Sequence, residues 1–238
     1  SNQFNRVVIA EKDPSNLAGG GAKFLKKNNI DVDIGICKEE ARYLNKYFYT
    51  FHEKKRPYII LKYASSLDGY IALENGESKW ITNSKSRSIN HRQRSECDAI
   101  LVGRKTIDQD NPILDSHGKG KNPQIIVIDP DDKINKDSKI FRSDKSPFIF
   151  RKKDFANSKD ENIKIILKKL FEMNIQSVLV EGGGSTITSF LKSGLFDEVH
   201  AYIAPKFFGK GIPLYQGKGS IENIYNLKIT HVESLGDD

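Results

Sequence analysis

The chain has 238 residues, and its 38 lysines and arginines outnumber 31 aspartates and glutamates to give a net charge of +7. This length allows one large α/β domain, or one domain with a small addition. The 18 glycines and 8 prolines are ordinary numbers without a period, which excludes collagen-like and low-complexity chains. No apolar run approaches the roughly 20 residues of a membrane span, so no membrane partner is expected.

The positive charge is carried mainly by lysines in short runs, each interleaved with acidic residues. Nucleic-acid binding favours a focused basic stripe, so no nucleic-acid partner is expected, although a non-catalytic nucleic-acid-binding module stays open as an alternative. A positive chain also attracts small anionic ligands. Cys37 and Cys97 are isolated and indicate neither a disulfide framework nor a Cys-rich zinc site. With no apolar segment among the first residues, we expect a cytoplasmic bacterial protein.

The first 55 residues form a small unit of their own in the pattern of apolar residues. Strands are predicted at 7–10 and 30–34, and helices at 22–28 and 39–51. This β-α-β-α piece has too few apolar residues to form a stable core alone.

After a boundary at Arg56-Pro57, longer apolar runs alternate with helical patterns. Strands are predicted at 58–64, 99–102, 123–130, 148–150, 176–181, 198–204 and 227–233, and helices at 84–96, 162–173 and 186–193. Strands that alternate with helices predict an α/β sheet with helices on both faces.

The most informative segment is the glycine turn Gly182-Gly183-Gly184, which follows a predicted buried strand and leads into Ser185, Thr186 and a helix. Glycines let backbone N–H groups approach a phosphate closely, and a helix N-terminus adds aligned donors and a partial positive charge. We favour anion binding here over a plain turn capped by Ser185 or Thr186. The spacing is neither the dinucleotide fingerprint nor a Walker A loop.

Three further features lie at or near predicted strand ends. The turn Gly103-Arg104-Lys105-Thr106 either holds the charged half of a nucleotide or is an ordinary turn with exposed cations. Asp68 and Glu181 can meet in one crevice, because ligands of open α/β sheets bind at the carboxyl ends of strands, or they are turn and capping carboxylates. Trp80, the single tryptophan, is a core residue or the wall of a ring-shaped ligand.

Some chemistries are not expected. The five histidines are far apart and form no metal-ligand pair of the H-x-E or H-E-x-x-H type. There is also no Gly-x-Ser-x-Gly elbow. We therefore expect no metal site and no serine-hydrolase chemistry.

Several segments, taken in chain order, resemble the reductase domain of the bifunctional riboflavin biosynthesis deaminase/reductase. They are Arg-Pro-Tyr at 56–58, Leu-Lys-Tyr-Ala-Ser-Ser-Leu-Asp-Gly at 61–69, Gly-Glu-Ser-Lys-Trp-Ile-Thr at 76–82, Asp-Ala-Ile-Leu-Val-Gly at 98–103 with Thr106, Asp-Asn-Pro-Ile-Leu at 110–114, Val-Glu-Gly-Gly at 180–183 and Ala-Pro-Lys at 204–206. The resemblance implies two regions, 1–55 and 56–238.

Residues 1–55 resemble the C-terminal part of the deaminase domain, which has a cytidine-deaminase-like fold. Zinc deaminases carry an H-x-E and a P-C-x-x-C element, and neither occurs in this chain. The chain is therefore similar to a bifunctional enzyme that was cut within its deaminase half or has lost it. The parent protein is expected to be a pyrimidine deaminase as well, and this chain is not.

The resemblance implies a dihydrofolate-reductase-like α/β fold, with a mixed sheet and helices on both faces. It also implies a homodimeric, NADPH-dependent oxidoreductase. The family reduces 5-amino-6-(5-phosphoribosylamino)uracil to 5-amino-6-(5-phosphoribitylamino)uracil, with hydride going to the ribosyl C1′. The alternatives are another reductase of this fold, such as a dihydrofolate reductase, an inactive relic, and the nucleic-acid-binding module.

Site residues follow from the resemblance by position. The NADPH contacts implied are Ala64, Trp80, Gly103, Arg104, Thr106, Asp110, Gly183, Gly184, Ser185 and Thr186. The substrate contacts implied are Ser78, Arg94, Leu114, His117 and Glu181, and the catalytic candidates are Lys62, Asp68 and Glu181.

The expected phosphate contacts rest on charge. Arg104 and Lys105 would favour the 2′-phosphate of NADPH, and Arg94 would hold the substrate phosphate, since a guanidinium forks well onto phosphate oxygens. His117 stands where the family usually has an arginine. The phosphate is therefore bound more weakly, or a lysine at 119 or 121 substitutes.

Overall fold

The computed structural model of the chain describes residues 4–15, 19–156, 158–217 and 226–238. Its strands are β1 (Arg6–Ile9), β2 (Asp31–Ile34), β3 (Tyr58–Ser66), β4 (Tyr70–Ala72), β5 (Ala99–Gly103), β6 (Gln124–Ile128), β7 (Phe148–Phe150), β8 (Ser177–Val180), β9 (Glu198–Ala204) and β10 (Ile212–Pro213). Its α-helices are α1 (Gly21–Lys27), α2 (Lys38–Leu44), α3 (Lys46–Lys54), α4 (Ser84–Glu96), α5 (Arg104–Asp110), α6 (Lys159–Glu172) and α7 (Gly184–Ser193).

Six strands form the central sheet in the order β7-β6-β5-β8-β3-β9, and every neighbouring pair is parallel. The continuous apolar runs of β3, β5 and β8 explain this arrangement, because parallel strands are covered on both faces. Within the described ranges, antiparallel pairing occurs only in the separate ribbon of β4 and β10. The mixed sheet of the prediction is therefore a parallel sheet with a small antiparallel ribbon beside it.

Helices cover both faces of this sheet, as predicted. One core contains Ile59 and Leu61 of β3 with side chains of α6 and α7. The opposite face is covered partly by α5, through Ile107, while Tyr58 and Ile60 pack there with Tyr47 of α3. Successive residues of β3 thus point into different cores, since side chains alternate along a strand.

The single helix predicted at 39–51 is wrong, because the structure contains two helices, α2 and α3, that meet at Asn45. This residue has φ −112° and ψ 28°, and its side-chain amide donates to the carbonyl of Ala41 at 3.0 Å. Asparagine competes for backbone hydrogen bonds in this way and favours helix ends. The 3–4 spacing of apolar residues continues across the break and therefore conceals it.

The final strand predicted at 227–233 is also wrong. Residues 226–235 pair with no strand of the described structure, and Leu227, Ile229 and Val232 are exposed. An alternating pattern forms a strand only where a sheet edge receives it. Here the chain end is held elsewhere, since the Asp238 carboxylate accepts from the backbone N–H of Asn83 at 2.7 Å beside the start of α4.

The N-terminal region divides into two parts by packing. The strands β1 and β2 form a separate two-stranded parallel sheet, and neither α1 nor α2 contains a buried residue. In contrast, α3 packs on the larger unit: the Phe51 and Phe171 ring centroids are 4.5 Å apart.

Asp197 secures the junction between α3 and the sheet. Its carboxylate accepts from Arg56 at 2.6 and 2.8 Å and from the backbone N–H of Ile59 at 2.9 Å. We expect Asp197→Asn to lower the free energy of unfolding by about 2 kcal/mol, because hydrogen bonds to charged groups are lost. Urea unfolding measures this. A loss below about 0.5 kcal/mol would show that the junction is held by packing alone.

No helix in the described ranges is long and apolar enough to cross a membrane.

Candidate active site

The carboxyl ends of β5 and β8 meet where the chain crossings change direction. From β5 the chain passes through α5 to β6 on one side, and from β8 it passes through α7 to β9 on the other. Ligands of open parallel sheets bind in the crevice at such a switch point. The two predicted glycine turns, at Gly103 and at 182–184, follow these two strands. The topology therefore brings both turns to one crevice.

Thr186 shows how closely the two turns approach each other. A Cβ added to Gly103 would lie 2.8 Å from Thr186 Oγ1, and one added to Gly182 would lie 2.8 Å from Thr186 Cγ2. Both positions therefore require glycine. Thr186 fills the space between the two turns. Thr106 of α5 lies near Gly183, with its Oγ1 3.8 Å from a Cβ built on that glycine.

The glycine turn leads directly into α7 with Gly183 as the N-cap, and no side chain caps the helix. The alternative of a turn capped by Ser185 or Thr186 is therefore wrong. Gly183 and Ser185 are exposed, whereas Gly184 is buried. An uncapped N-terminus of a ten-residue helix offers free N–H groups and partial positive charge to an anion, which supports the anion-binding prediction.

A buried ion pair lies beside this turn. Arg94 of α4 donates from Nε to Glu181 Oε1 at 2.8 Å and from Nη2 to Oε2 at 2.9 Å. Asn90, one helical turn earlier, donates to both oxygens at 3.2 Å. The remaining nitrogen of Arg94 donates to the carbonyl of Asp115 at 3.1 Å. Because each nitrogen of Arg94 has a partner, the geometry indicates that Arg94 positions Glu181, and its contact with substrate phosphate stays a prediction.

Glu181 remains ionised in this environment. Burial raises its pKa, but the charge and hydrogen bonds of Arg94, the charge of Lys62 and the hydrogen bonds of Asn90 outweigh burial and lower the pKa from 4.5 to about 2. A carboxylate of this kind is a fixed negative charge at physiological pH. It can orient a substrate or balance a nearby cation.

Lys62 of β3 supplies that cation. Its ammonium lies 5.3 Å from the centroid of the Tyr202 ring. Burial lowers the pKa of Lys62, while Glu181 opposes this shift and Arg94 adds to it. An ammonium with a lowered pKa gives up its proton more readily. The predicted candidates Lys62, Arg94 and Glu181 therefore form one cluster.

The loop that contains Leu114 and His117 packs against α4 next to this cluster. The His117 ring meets the His91 ring edge-on, with 3.9 Å between centroids, and His117 Nδ1 is 2.7 Å from Asp115 Oδ1. His117 is partly exposed and can contact a ligand. The side chain of Leu114 is buried in the core with Ile107, so a ligand can reach only its backbone.

His91 is expected to make stability depend on pH. Burial, with help from His117 and Arg94, lowers the pKa of His91 from 6.5 to about 4. The unfolded chain therefore binds a proton at His91 more tightly than the folded chain does. The contribution of neutral His91 to stability is complete above pH 6.5 and is lost as pH falls towards 4. Allowing for solvent screening, we expect a loss of about 1–2 kcal/mol.

Unfolding titrations at several pH values measure this loss, and His91→Gln should abolish it. The exposed His231 offers a matched control, since His231→Gln should leave the pH dependence unchanged. An unaltered profile in His91→Gln would contradict the assignment.

Trp80, predicted as a wall of the cofactor site, is open to solvent. Trp80 is 64% exposed, and the Arg87 guanidinium lies 4.3 Å from its ring centroid. Lys79 connects this segment to the end of α5, since its ammonium donates to the Asp110 carbonyl at 3.2 Å. Ser78 also belongs to this segment, and Ala64 lies on β3 opposite Tyr202. Their roles in binding stay predictions.

Two predicted residues are already engaged elsewhere. The Asp68 carboxylate accepts from the backbone N–H groups of Phe208 at 3.0 Å and Gly209 at 2.8 Å, so it anchors that loop. Arg104 pairs with carboxylates of α5 and of the segment after β6. A catalytic role of Asp68 and a phosphate contact of Arg104 therefore stay predictions.

Sequence reasoning missed Asn90, His91 and the acidic partners of Arg104. Asn90 was accessible from spacing, because positions four apart share a helix face and Asn90 is four residues before Arg94. Asp108 was accessible in the same way, since it is four residues after Arg104, but Asp129 and Asp131 had no such local signal. Within the described ranges, no three His, Cys, Asp or Glu side chains converge as a metal site would require.

The chain is similar to known riboflavin biosynthesis proteins. Residues 57–238 match the RibD C-terminal domain family. The riboflavin biosynthesis protein RibD of Aquifex aeolicus is 40% identical to this chain, with 99% of this chain and 71% of the relative covered. The protein of the same name from Bacillus amyloliquefaciens is 36% identical, with coverage of 99% and 70%.

Solved structures show the same relationship. A Thermotoga maritima diaminohydroxyphosphoribosylaminopyrimidine deaminase/5-amino-6-(5-phosphoribosylamino)uracil reductase is 33% identical, with a TM-score of 0.89 and coverage of 98% of this chain and 69% of that chain. The riboflavin biosynthesis reductase of Saccharomyces cerevisiae shares the fold alone, with 24% identity, a TM-score of 0.55 and coverage of 74% and 88%. The predicted α/β fold with helices on both faces of the sheet is confirmed. The chain belongs to the RibD C-terminal domain family, the reductase domain of riboflavin biosynthesis proteins, and is an oxidoreductase.

Proposed function

We propose that this chain catalyses the NADPH-dependent reduction of 5-amino-6-(5-phosphoribosylamino)uracil to 5-amino-6-(5-phosphoribitylamino)uracil. The observation that carries the proposal is the position of the Lys62–Glu181–Arg94 cluster directly beside the glycine crevice. A site for a dinucleotide and a site for a small polar substrate would thus be contiguous. The substrate is the one named for the Thermotoga maritima relative.

The residues of the crevice fit a dinucleotide. The turns at Gly103 and Gly182 leave no room for a Cβ, and the N-terminus of α7 is uncapped. The amides at Gly184 and Ser185 would hold the pyrophosphate, with Trp80 and Asp110 at the rim. When bound, the reduced nicotinamide supplies the hydride.

The protein supplies the proton and the orientation. Reduction of the ring-opened, imine-like ribosyl group adds hydride at C1′ and a proton at the adjoining nitrogen. Lys62 is the candidate donor of that proton, because its pKa is lowered by burial and Glu181 holds its charge in place. Glu181 would also accept hydrogen bonds from the pyrimidine. Cofactor chemistry depends on orientation and exclusion of water of this kind.

The substrate phosphate would lie at His117, in the partly exposed loop beside α4. Asp115 Oδ1 lies 2.7 Å from Nδ1 of this ring, which would leave Nε2 to face the phosphate. Lys119 and Lys121 follow in the same loop and are exposed. Lys121 is paired with Asp98 at 3.0 Å, which makes Lys119 the more available of the two.

The test is oxidation of NADPH by the purified chain with the phosphoribosylamino-pyrimidine, compared with Glu181→Gln. We expect substrate-dependent oxidation, and a loss of at least about a hundredfold in kcat/KM in the variant. Glu198→Gln is a matched control, since Glu198 is also ionised and half-buried but pairs with Lys46 at 2.6 Å away from the crevice. Equal losses in both variants, or no oxidation by the wild type, would contradict the proposal.

Residues 1–55, in the same proposal, correspond to part of a deaminase domain. In support, α1 and α2 bury no residue and Phe24, Tyr43 and Leu44 are exposed, as expected for a fragment that lacks its core. The chain spans about 70% of the length of its RibD relatives. Both cysteines are free, which is consistent with the reducing cytoplasm.

A homodimer completes the proposal. The outer edge of β9 has no partner strand in the described structure, and the exposed Leu227, Ile229 and Val232 offer apolar surface. Light scattering should give twice the chain mass for the wild type. The same measurement on Ile229→Lys with Val232→Lys should give a monomer, and a wild-type monomer would contradict the dimer.

A further inference from the structure

Lys206 holds the segment that carries Trp80. It lies in the loop after β9, and its ammonium donates to the backbone carbonyl of Trp80 at 3.1 Å and to that of Ile81 at 2.7 Å. These two carbonyls are consecutive in the chain, so one side chain fixes two neighbouring peptide groups. The backbone at Trp80 is therefore tied to a loop more than a hundred residues away in sequence.

The loop that carries Lys206 is itself held by the turn after β3. The carbonyl of Lys206 accepts from the backbone N–H of Leu67 at 2.8 Å. The Asp68 carboxylate accepts from the N–H groups of Phe208 at 3.0 Å and Gly209 at 2.8 Å. These bonds fix the backbone at and after Lys206, so its ammonium acts from a fixed base.

Trp80 depends on such a contact because its own side chain packs little. The indole ring is largely exposed, with the Arg87 guanidinium over it as the cation–π partner. The side chain of Ile81 is buried and anchors the chain only after Trp80. An exposed ring on a loop binds a flat ligand well only if its position is set beforehand, since ordering it during binding costs conformational entropy.

On the basis of the proposed function, we propose that Lys206 is a positioning residue for the cofactor, which raises the affinity for NADPH by fixing the backbone of Trp80 before binding. Lys206 acts through Trp80 and not on the reacting atoms. Without its ammonium, Trp80 occupies several positions, and the apparent dissociation constant rises as the binding-competent fraction falls. Bound NADPH orders the ring again, so the loss affects binding and not the hydride step.

Two measurements on Lys206→Met test this inference, because methionine is similar in length and lacks the ammonium. Trp80 is the single tryptophan, so the fluorescence anisotropy of the free chain reports on this segment alone and should fall. In calorimetric titrations the dissociation constant for NADPH should rise about five- to tenfold. At saturating NADPH, kcat should stay within about twofold of wild type. Lys206→Arg keeps a donor cation and should recover most of the affinity.

Lys210 is a matched control in the same loop, since it pairs with Glu74 at 2.9 Å and both side chains are exposed. Lys210→Met should leave the anisotropy unchanged and the affinity within about twofold. Wild-type affinity in Lys206→Met, equal losses in the two methionine variants, or a loss of affinity without a fall in anisotropy would overturn this inference alone. A wild-type chain that binds no NADPH would overturn the proposed reductase as well.

Discussion

Arg94→Ala is expected to lower the free energy of unfolding by about 3–5 kcal/mol at neutral pH, because it leaves the buried Glu181 carboxylate without its bidentate partner. The variant also changes the pH dependence of stability. In the wild type the pKa of Glu181 is lowered to about 2, so its contribution to stability is present above pH 4.5 and lost as pH falls through 2. Without Arg94, burial dominates and raises the pKa, and stability then falls as pH rises.

Urea titrations at pH 7 and near pH 4 test both parts of this expectation. The deficit of Arg94→Ala should be largest at pH 7 and smaller near pH 4. Adding Glu181→Gln to Arg94→Ala should recover part of the loss, because the amide carries no charge to leave unpaired. A deficit that is the same at both pH values would show that Arg94 contributes by packing and not by its charge.

Gly182→Ala is expected to weaken dinucleotide binding by at least about tenfold and to cost about 1–3 kcal/mol of stability, as overpacking does. The new Cβ would collide with Thr186, whose Cγ2 is 2.8 Å away. Thr186 lies between the two glycine turns, so a shift there separates the turns and displaces the N-terminus of α7. Calorimetric titration with NADP+ and urea unfolding measure the two effects.

Gly183→Ala is the comparison within the same turn. A Cβ there meets Thr106 Oγ1 at 3.8 Å, an ordinary contact, and the residue is exposed. Its unfolding free energy should stay within about 0.5 kcal/mol of wild type. If the two alanines destabilise the chain equally, close packing of the turns is not the reason that glycine occupies position 182.

The parts of the fold and site that are local in sequence could be predicted. Apolar runs identified β3, β5, β6 and β8, and the strand-glycine-helix pattern identified the turn before α7. Placing Asp68 and Glu181 at strand ends predicted that these two carboxylates share a crevice, whereas the charge that acts on Glu181 is that of Lys62, and Asp68 anchors the loop at Gly209. The same local logic failed at Asn45, where apolar spacing ran through a helix break, and at 227–233, where an alternating segment met no sheet edge.

Pairing between distant residues could not be predicted in the same way. The guanidiniums of Arg94 and Arg104 were expected to bind phosphates, Arg94 because a guanidinium forks well onto phosphate oxygens and Arg104 because of its charge beside a glycine turn. Each is instead paired with carboxylates brought close by folding, Glu181 for Arg94 and Asp129 for Arg104. Whether a charge is free for a ligand depends on tertiary packing, which residue type and local spacing do not encode.

The most direct test of the central claim follows hydride itself. The purified chain is incubated with the phosphoribosylamino-pyrimidine and NADPH that carries deuterium at both C4 positions, and the product is examined by mass spectrometry and NMR. The account predicts a ribitylamino product with a single deuterium at C1′, formed by the wild type and lost in Glu181→Gln. An unlabelled product, or deuterium at another carbon, would contradict it.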